Sequence, residues 1–236
     1  MARDKQLREV QRLGVMPTGL VEYSTATISD AMQKVGVQDR ILEPAIRPLL
    51  PFMKMVGIAV TVKVIRSDTP GNYAPLMGRA LESGREVACP ILVIEQPQDL
   101  VGATVLGSGG AHTMRNHYGF VGCLSDGFIR DTDDLKKMNF QAYSRGVHPE
   151  YRFGMLKGVS VNEPVVVGGV RISPGDIIVG DHDGVAAIDP RQLDRFLEAA
   201  NQILEQERSI LNEIDAGEPF LKILRHHQPE AFQGEQ

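Results

Sequence analysis

The stretch Val56-Gly-Ile-Ala-Val-Thr-Val-Lys-Val-Ile65 decides the fold class of this chain of 236 residues. Valine or isoleucine occupies every even position, and Gly57, Ala59, Thr61 and Lys63 stand between them. A period of two is typical of a β-strand, because successive side chains point to opposite faces of a sheet. The pattern therefore predicts a strand with one face buried.

Strands and helices alternate after this first strand. The sequence predicts a helix from Asn72 to Leu81, a strand from Ile91 to Glu95, a helix from about Ala111 to Tyr118 and a strand from about Phe120 to Leu124. Such alternation indicates an α/β architecture. From Glu163 onward the pattern changes to short apolar runs separated by Gly168-Gly169, Pro174-Gly175 and other turn residues. This part predicts a compact antiparallel section.

Helices are predicted at both ends of the chain. Residues 1–20 form an expected N-terminal arm with a helix from about Lys5 to Leu13. A short helix follows from Thr25 to Gly36, with a capping-box pattern from Thr27 to Asp30. The C-terminal helix opens at Asp189-Pro190 and runs to Gly217, because proline is favoured in the first turn and glycine just past the end.

Composition indicates one soluble globular domain over residues 1–236, since 42% of residues are hydrophobic and 23% are charged. The net charge of −5 argues against nucleic acid or an anionic membrane as the main partner. No apolar stretch approaches the ~20 residues that span a bilayer, and the N-terminus lacks the apolar core of a signal peptide. We therefore expect a cytoplasmic protein. Cys89 and Cys123 are expected to be packed free thiols; a disulfide or thiol chemistry is the alternative.

A candidate site follows in the run Gly122-Cys-Leu-Ser-Asp-Gly-Phe-Ile-Arg-Asp-Thr-Asp-Asp134. The guanidinium of Arg130 can hold a carboxylate through two hydrogen bonds, and Asp131 offers the hard oxygen ligands that Mg²⁺ prefers. Together they could bind and polarise a 2-oxo acid. The alternative is structural: Asp131 is the N-cap of a helix with an acidic first turn.

Other groups have both a functional and a structural interpretation. Gly107-Ser-Gly-Gly-Ala111 could present backbone N–H groups to an anion, or be a flexible turn. Asp126 is interpreted as a structural turn residue; alternatively, it supports a metal site by hydrogen bonding to a ligand without touching the metal itself. Asp181 and Asp183 form a tight turn or, alternatively, an ion site.

Glu207 interrupts the apolar seam of the C-terminal helix. The seam consists of Leu193, Leu197, Ala200, Leu204, Glu207, Leu211 and Ile214. Either the helix rolls and the carboxylate of Glu207 reaches solvent, or the seam packs on another subunit and Glu207 points into a shared polar site.

The chain resembles the family that contains the regulator RraA and the class II 4-hydroxy-4-methyl-2-oxoglutarate aldolases. The segments that carry the resemblance are STATISDAM, GIAVTVKV, GFVGCLSDGFIRDTDDL and VNEPVVVGGVRISPGDIIVGDHDGVAAI. A family pattern of glycine, Arg-Asp and a further carboxylate is met by Gly109, Arg130, Asp131 and Asp134. The resemblance implies a ββα sandwich of the swivelling-domain type, assembled as a homotrimer or a hexamer with sites between subunits.

The resemblance also implies a role for each site residue. Asp131 matches the ligand for Mg²⁺ or Mn²⁺, and Arg130 matches the arginine that holds pyruvate. Gly109 belongs to the substrate-binding glycine cluster, and Gly110 and Ala111 match positions whose N–H groups bind the substrate carboxylate. Glu207 falls where the aldolases contribute a catalytic glutamate from the adjacent subunit.

The implied activity is metal-dependent cleavage of a C–C bond in a 2-oxo acid through a metal-stabilised pyruvate enolate. Both aldol cleavage and oxaloacetate decarboxylation pass through that species. Many members carry an acidic residue at the position aligned with Gly109, where it orients metal-bound water, and this chain lacks it. His112 is a candidate proton carrier, or simply a polar residue of the helix. A protein-binding regulator without catalysis is the alternative function.

Overall fold

The computed structural model of the chain describes residues 17–51, 53–69, 71, 73–151 and 154–232. The helix predicted from Lys5 to Leu13 lies outside them. The α-helices are α1 (Thr25–Lys34), α2 (Tyr73–Gly84), α3 (Ser108–Tyr118), α4 (Thr132–Lys137), α5 (Leu193–Asp215) and α6 (Phe220–His227). The strands are β1 (Arg47–Pro48), β2 (Met55–Arg66), β3 (Pro90–Glu95), β4 (Gly122–Ser125), β5 (Phe128–Ile129), β6 (Gln141–Ser144), β7 (Gly146–Val147), β8 (Leu156–Val161), β9 (Val165–Val167), β10 (Val170–Ile172), β11 (Ile177–Gly180) and β12 (Val185–Ile188).

Eight of these strands form one mixed sheet in the order β1-β6-β4-β3-β2-β11-β12, with β8 also paired to β2. The pairs β2–β3, β3–β4 and β4–β6 are parallel, and β2–β8, β2–β11 and β11–β12 are antiparallel. The antiparallel pairing predicted after Glu163 is confirmed. It does not form a separate section, however, because β11 and β12 continue the main sheet.

The two faces of the sheet are covered by different structures. Leu92 and Ile94 of β3 face a core formed with α2, α3 and α4, whereas Ile91 and Val93 face a core formed with the β9–β10 hairpin. At the β11–β12 end, α1 and α5 pack on Ile177 and related side chains of the helical face. The layers are therefore hairpin, sheet and helices, and the predicted α/β class with a ββα arrangement is confirmed.

The strand predicted over residues 56–65 is confirmed as β2, but its predicted one-sided burial is wrong. Gly57, Ala59 and Thr61 are buried as well as Val60 and Val62. The sheet is covered on both faces, so the small residues at odd positions pack against the hairpin side.

Helix α1 is capped differently from the prediction. The side chain of Ser24, rather than Thr27, is the cap, and it accepts the N–H of Thr27 at 3.0 Å. Asp181 supports the same helix end by accepting the N–H of Thr25 at 2.7 Å and its hydroxyl at 2.6 Å. Asp181 also forms the predicted tight turn, because its Oδ1 accepts the N–H of Asp183 at 2.9 Å and its own N–H donates to Gly184 O at 3.0 Å.

The long C-terminal helix is confirmed as α5, preceded by a 3-10 turn at Pro190–Gln192 that Asp189 caps. Its seam is buried at Leu193 and Ala200 but exposed from Glu207 onward. Among the described residues, the first half of α5 packs on α1 and on the β11–β12 end of the sheet. None of the helices in the described ranges is long and apolar enough to cross a membrane.

The thiols of Cys89 and Cys123 are both free, as predicted. Cys123 is buried in the core, and burial raises the pKa of its thiol to about 12. That pKa disfavours the thiolate on which cysteine chemistry depends.

Candidate active site

Two loops that follow neighbouring parallel strands meet to form the candidate site. The loop after β3 runs beside β5, because Val105 N–H donates to Phe128 O at 3.0 Å and Arg130 N–H donates to Leu106 O at 2.9 Å. Ligand sites of open α/β sheets commonly lie at the carboxyl ends of such strands. This pairing brings the start of α3 against Arg130 and Asp131.

Asp131 adopts a left-handed backbone conformation, with φ 56° and ψ 38°. Aspartate tolerates this region better than most residues other than glycine. Its carboxylate does not cap its own helix α4. Instead, Oδ2 accepts the N–H of Ser108 at 3.0 Å and the hydroxyl of Ser108 at 3.2 Å. Asp131 therefore occupies the predicted N-cap position of α4, but its side chain does not cap that helix. It caps α3 instead.

The glycine cluster is the first turn of α3 rather than a flexible turn. The helix begins at Ser108, three residues before the predicted start. The N–H groups of Gly109 and Gly110 precede the first intrahelical donor, the N–H of Ala111, so they have no acceptor in the helix and can donate to an anion. Ala111 differs: it is buried, and its N–H already donates to Gly107 O at 3.0 Å. The structure thus brings Gly109 and Gly110, but not Ala111, to the site.

The glycines of this cluster have different steric surroundings. A Cβ at Gly107 would lie 2.6 Å from Asp131 Oδ2, too close unless that carboxylate moves, and 3.2 Å from Arg130 Nε, which is a tight contact. A Cβ at Gly109 would meet nothing within 4 Å. A side chain at position 107 would therefore displace the Asp131 carboxylate from its present position, whereas one at position 109 would be accommodated.

These groups surround a cavity of about 230 Å³. Its lining consists of Tyr73, Thr104, Val105, Leu106, Gly107, Gly109, Gly110, Arg130, Asp131 and Tyr151. The guanidinium carbon of Arg130 lies 5.2 Å from the centre of the Tyr151 ring, and its Nε lies 3.7 Å from Asp131 Oδ2. The cavity thus combines one cation, one carboxylate and a helix N-terminus.

Sequence reasoning missed the two tyrosines of this cavity. Tyr73 donates its hydroxyl to Val105 O at 2.7 Å, and burial raises the pKa of that hydroxyl. Tyr73 therefore holds the loop before Gly107 as a neutral hydrogen-bond donor. Neither tyrosine lies in a recognisable motif, so only the tertiary structure reveals them.

The donor atoms at Asp131 fit Mg²⁺ or Mn²⁺ better than zinc. Among the described residues, Asp131 Oδ1 accepts no hydrogen bond, and Asp131 belongs to no group of three potential ligands. Mg²⁺ is typically held by one or two carboxylates and several waters, whereas zinc sites use three or four protein ligands.

Other predicted residues lie away from this cavity. Glu207 is exposed and lines a different cavity, of about 330 Å³, with Asp30, Lys34 and Gln228 among its neighbours. His112 and Asp134 are exposed and are not part of the lining. Any contribution of Glu207 to the Arg130 cavity must come from a second copy of the chain.

Asp126 is a buried structural residue. Its carboxylate accepts hydrogen bonds from Arg145, Gln98 and Gly168 N–H, and Arg145 also pairs with Glu43. Burial raises the pKa of Asp126 despite these bonds. This network ties the turn after β4 to the β9–β10 hairpin, outside the cavity lining.

Comparison with known proteins agrees with this architecture. The sequence model of the RraA-like family, described as Aldolase/RraA, matches residues 25–187. A protein of Halalkalibacterium halodurans, provisionally named as a 4-hydroxy-4-methyl-2-oxoglutarate aldolase, is 33% identical over 211 residues, which is 86% of this chain and 91% of the relative. The uncharacterized protein MJ0644 of Methanocaldococcus jannaschii is 30% identical over 76% of this chain and 82% of its own length.

Solved structures show that the fold is shared. An uncharacterized protein from Pseudomonas syringae matches with a TM-score of 0.73 and 24% identity over 93% of this chain and 92% of its own. Streptomyces coelicolor RraAS2, described as an unusual member of the RNase ES inhibitor RraA protein family, matches with a TM-score of 0.68 and 23% identity over 84% and 94% of the two chains. With the family match over residues 25–187, these findings show that the chain belongs to the RraA-like family.

Proposed function

We propose that the protein is a divalent-metal-dependent lyase that cleaves a C–C bond of a small 2-oxo acid and releases pyruvate. The observation that supports this most strongly is the cavity in which the N-terminus of α3, the Arg130 guanidinium and the Asp131 carboxylate meet. Its volume of about 230 Å³ lies below the ~300–1,000 Å³ of drug-sized sites, so it suits a ligand of few atoms.

Arg130 and the N-terminus of α3 would bind the substrate, and Tyr151 would position Arg130. The Arg130 guanidinium can donate two hydrogen bonds to the carboxylate and the 2-oxo oxygen. The N–H groups of Gly109 and Gly110 can donate to the same carboxylate, where the helix dipole favours negative charge. The Tyr151 ring beside Arg130 covers one face of the guanidinium and limits the directions in which it can bind.

Asp131 is the residue that would hold Mg²⁺ or Mn²⁺. Such an ion supplies Lewis-acid stabilisation of the negative charge that develops on the 2-oxo group. The two hydrogen bonds from Ser108 fix the rotamer of Asp131, so its carboxylate is already oriented before substrate binds.

The substrate we propose first is 4-hydroxy-4-methyl-2-oxoglutarate, which appears in the names of relatives at 33% identity. Oxaloacetate is the second, because its decarboxylation leaves the same negative charge on the pyruvate portion. Both substrates carry the 2-oxo carboxylate that Arg130 and the α3 N-terminus would bind.

We place Glu207 in the site of a neighbouring subunit of a homotrimer or hexamer. Glu207 is exposed on the half of α5 that leaves the body of the chain, and Leu211 and Ile214 beyond it are 57% and 44% exposed. An exposed apolar row on such a helix favours a contact with another subunit. In that position the carboxylate would serve as a proton donor or acceptor near the substrate.

A non-catalytic, protein-binding regulator is the second candidate. It is favoured by Gly109, which leaves the site without the acid that the resemblance associates with proton transfer. The retained Arg130 and Asp131 favour the lyase, because a regulator that binds through its surface has no need of an arginine and a carboxylate inside a cavity.

Pyruvate release tests the two candidates directly. Native protein would be assayed on both substrates with Mg²⁺ or Mn²⁺ and with chelator, beside Asp131→Ala and Arg130→Gln. Asp133→Ala is the matched control, since Asp133 is an exposed carboxylate of the same segment that does not line the cavity and lies 3.9 Å from Lys136 Nζ. Chelator-sensitive release that both site variants lose and the control keeps would support the lyase. No release from either substrate would favour the regulator.

Mixing of variants tests the shared site. Glu207→Gln and Arg130→Gln would each be inactive alone, but a mixed oligomer would contain some sites with both native residues. Recovery of part of the activity on mixing is the expected result. Absence of recovery in oligomers shown to exchange subunits would place Glu207 outside the site.

A further inference from the structure

A second group of metal-binding side chains lies in the C-terminal hairpin of α5 and α6. The Glu213 carboxylate oxygen Oε1 lies 3.0 Å from His226 Nδ1 and 2.8 Å from His227 Nε2. Their three ligand atoms all lie within 4.8 Å of one another, and among the described residues no other group of three potential ligands is so close. None of these residues lines the Arg130 cavity.

The convergence of the two histidines is unusual for their positions. Consecutive residues of a helix point about 100° apart and do not face each other. Here the rings of His226 and His227 lie 4.4 Å apart and direct different nitrogens, Nδ1 and Nε2, at one oxygen. The convergence is possible because His227 is the last residue of α6 and the backbone leaves the helix at Gln228. The two imidazoles and the carboxylate thus bring three potential metal ligands within 4.8 Å of one another.

We propose that Glu213, His226 and His227 form a site for Zn²⁺ or a chemically similar transition-metal ion, which fastens α6 to α5. Two imidazole nitrogens and one carboxylate oxygen are a common zinc ligand combination. Ligand atoms around a tetrahedral zinc ion with bonds of about 2.05 Å lie roughly 3.3 Å apart. The observed separations of 3.0 and 2.8 Å from Glu213 are a few tenths of an ångström shorter, so a small rotation of the side chains admits the ion.

The local charges favour a cation at this position. His226 and His227 occupy the last turn of α6, where the helix dipole presents its negative end. The carboxylate of Glu213 adds an anionic ligand beside the two imidazoles. Lys222 opposes binding in part, but it is paired with Glu218 at 2.7 Å. The imidazole of His227 is shielded, with 11% of its side chain exposed, whereas that of His226 is 67% exposed.

The ligand number indicates an exchangeable ion. Structural zinc sites usually have four protein ligands, and a site with three keeps a position for water. Imidazole ligands select zinc, copper or nickel over Mg²⁺, so this site and the Asp131 site differ in the metals that they prefer. Binding at the hairpin would stabilise the contact of α6 with α5, because the ligands come from both helices.

The test uses the full chain with Zn²⁺ and with Co²⁺ as a spectroscopic probe, in excess Mg²⁺. We expect one Zn²⁺ per chain at this site, a rise in the melting temperature, and Co²⁺ absorption bands of a four-coordinate site. His226→Gln, His227→Gln and Glu213→Gln should each weaken Zn²⁺ binding by at least about tenfold. His226→Gln should disturb the fold least of the three variants, because the His226 side chain is mostly exposed.

Two controls make the result specific. His117→Gln changes an exposed histidine of α3 and should bind Zn²⁺ as the native chain does. Asp131→Asn should also retain this Zn²⁺, so failure of the lyase proposal would leave the hairpin site unaffected. Zn²⁺ binding that is equal in native and His226→Gln protein, or no Zn²⁺ binding by native protein, would overturn the proposal.

Discussion

The Asp131 carboxylate accepts the backbone N–H of Ser108 at 3.0 Å, across 23 residues of sequence. Gly107, at the N-cap position of α3, has no side chain to make this bond. Asp131 therefore caps the helix whose free N–H groups form one wall of the cavity. One carboxylate therefore orients both the helix end that we propose to bind the substrate and the proposed metal site, so displacing it should affect both.

The glycines at positions 107 and 109 should respond differently to alanine. Gly107→Ala places Cβ 2.6 Å from Asp131 Oδ2, so we expect loss of most pyruvate release and a lower melting temperature. Gly109→Ala meets nothing within 4 Å and lies inside a helix, so it should stabilise the protein by about 0.5–1 kcal/mol. Melting curves measure the change in stability, and kcat for pyruvate release measures the change in activity. Equal effects of the two substitutions would contradict the proposed approach of the loops.

The hydroxyl of Tyr73 should contribute to stability by holding Val105 O. Tyr73→Phe leaves that carbonyl without this donor, at a cost of about 1–3 kcal/mol, and should raise KM because Val105 and Gly107 line the cavity. Urea unfolding and steady-state kinetics measure the two effects. Tyr118→Phe is the control, since its hydroxyl bonds the exposed Glu82 at 3.0 Å, and a change below about 0.5 kcal/mol is expected there. Equal losses of stability in the two variants would show that the hydrogen bond to Val105 O contributes no more than the exposed one to Glu82.

The ring of Tyr151 should matter through Arg130. Tyr151→Leu removes the cation–π contact, worth about 0.5–1 kcal/mol, so KM should rise roughly two- to fivefold with a smaller change in kcat. Tyr151→Phe keeps the ring and should stay close to native KM. If KM rises as much in Tyr151→Phe as in Tyr151→Leu, the hydroxyl rather than the ring is responsible for the effect.

Asp181 should make stability depend on pH in the acid range. Burial acts to raise its pKa, but the hydrogen bonds from Thr25, Asp183 and Gly184 outweigh it and lower the pKa below the usual value. Between that lowered pKa and the unfolded value of about 3.9, the unfolded state binds more protons, so stability falls as pH falls. Above pH 5 the contribution is complete.

Substitution isolates this contribution. Asp181→Asn should destabilise the protein by about 1–2 kcal/mol at pH 7, and the difference should shrink as pH falls below about 4. Asp183→Asn, an exposed neighbour, should show neither effect. Denaturant titrations at several pH values measure both variants, and a difference that stays constant down to pH 2 would contradict the assignment.

The fold was largely predictable because its elements depend on local patterns. The period of two in residues 56–65 and the alternation of strands with helices identified the sheet and its class. The burial of β2 on both faces was not predictable, since Ala59 packs against a hairpin more than 100 residues later. The start of α3 was misplaced for a related reason: its cap is Asp131, which no local pattern at Gly107 reveals.

The site was predictable only in part. Arg130 and Asp131 are adjacent in sequence and the glycine cluster was recognisable, so both could be identified as candidate parts of a site, whereas their meeting depends on hydrogen bonds between the loops, such as Arg130 N–H to Leu106 O. Tyr73 and Tyr151 reach the cavity from separate segments and lie in no motif. Ala111 was predicted to donate to the substrate, but its N–H is occupied once the helix begins at Ser108.

Binding of Mn²⁺ and pyruvate to native protein and Asp131→Asn tests the central claim most directly. Asparagine keeps an oxygen that can accept the Ser108 N–H but removes the charge, so the fold of α3 should survive. Titration by electron paramagnetic resonance would use His226→Gln as the common background, which removes the hairpin ligand. We predict one Mn²⁺ per chain, bound more tightly with pyruvate present, and at least about a tenfold loss in Asp131→Asn. Equal Mn²⁺ and pyruvate binding by the two proteins would contradict the account.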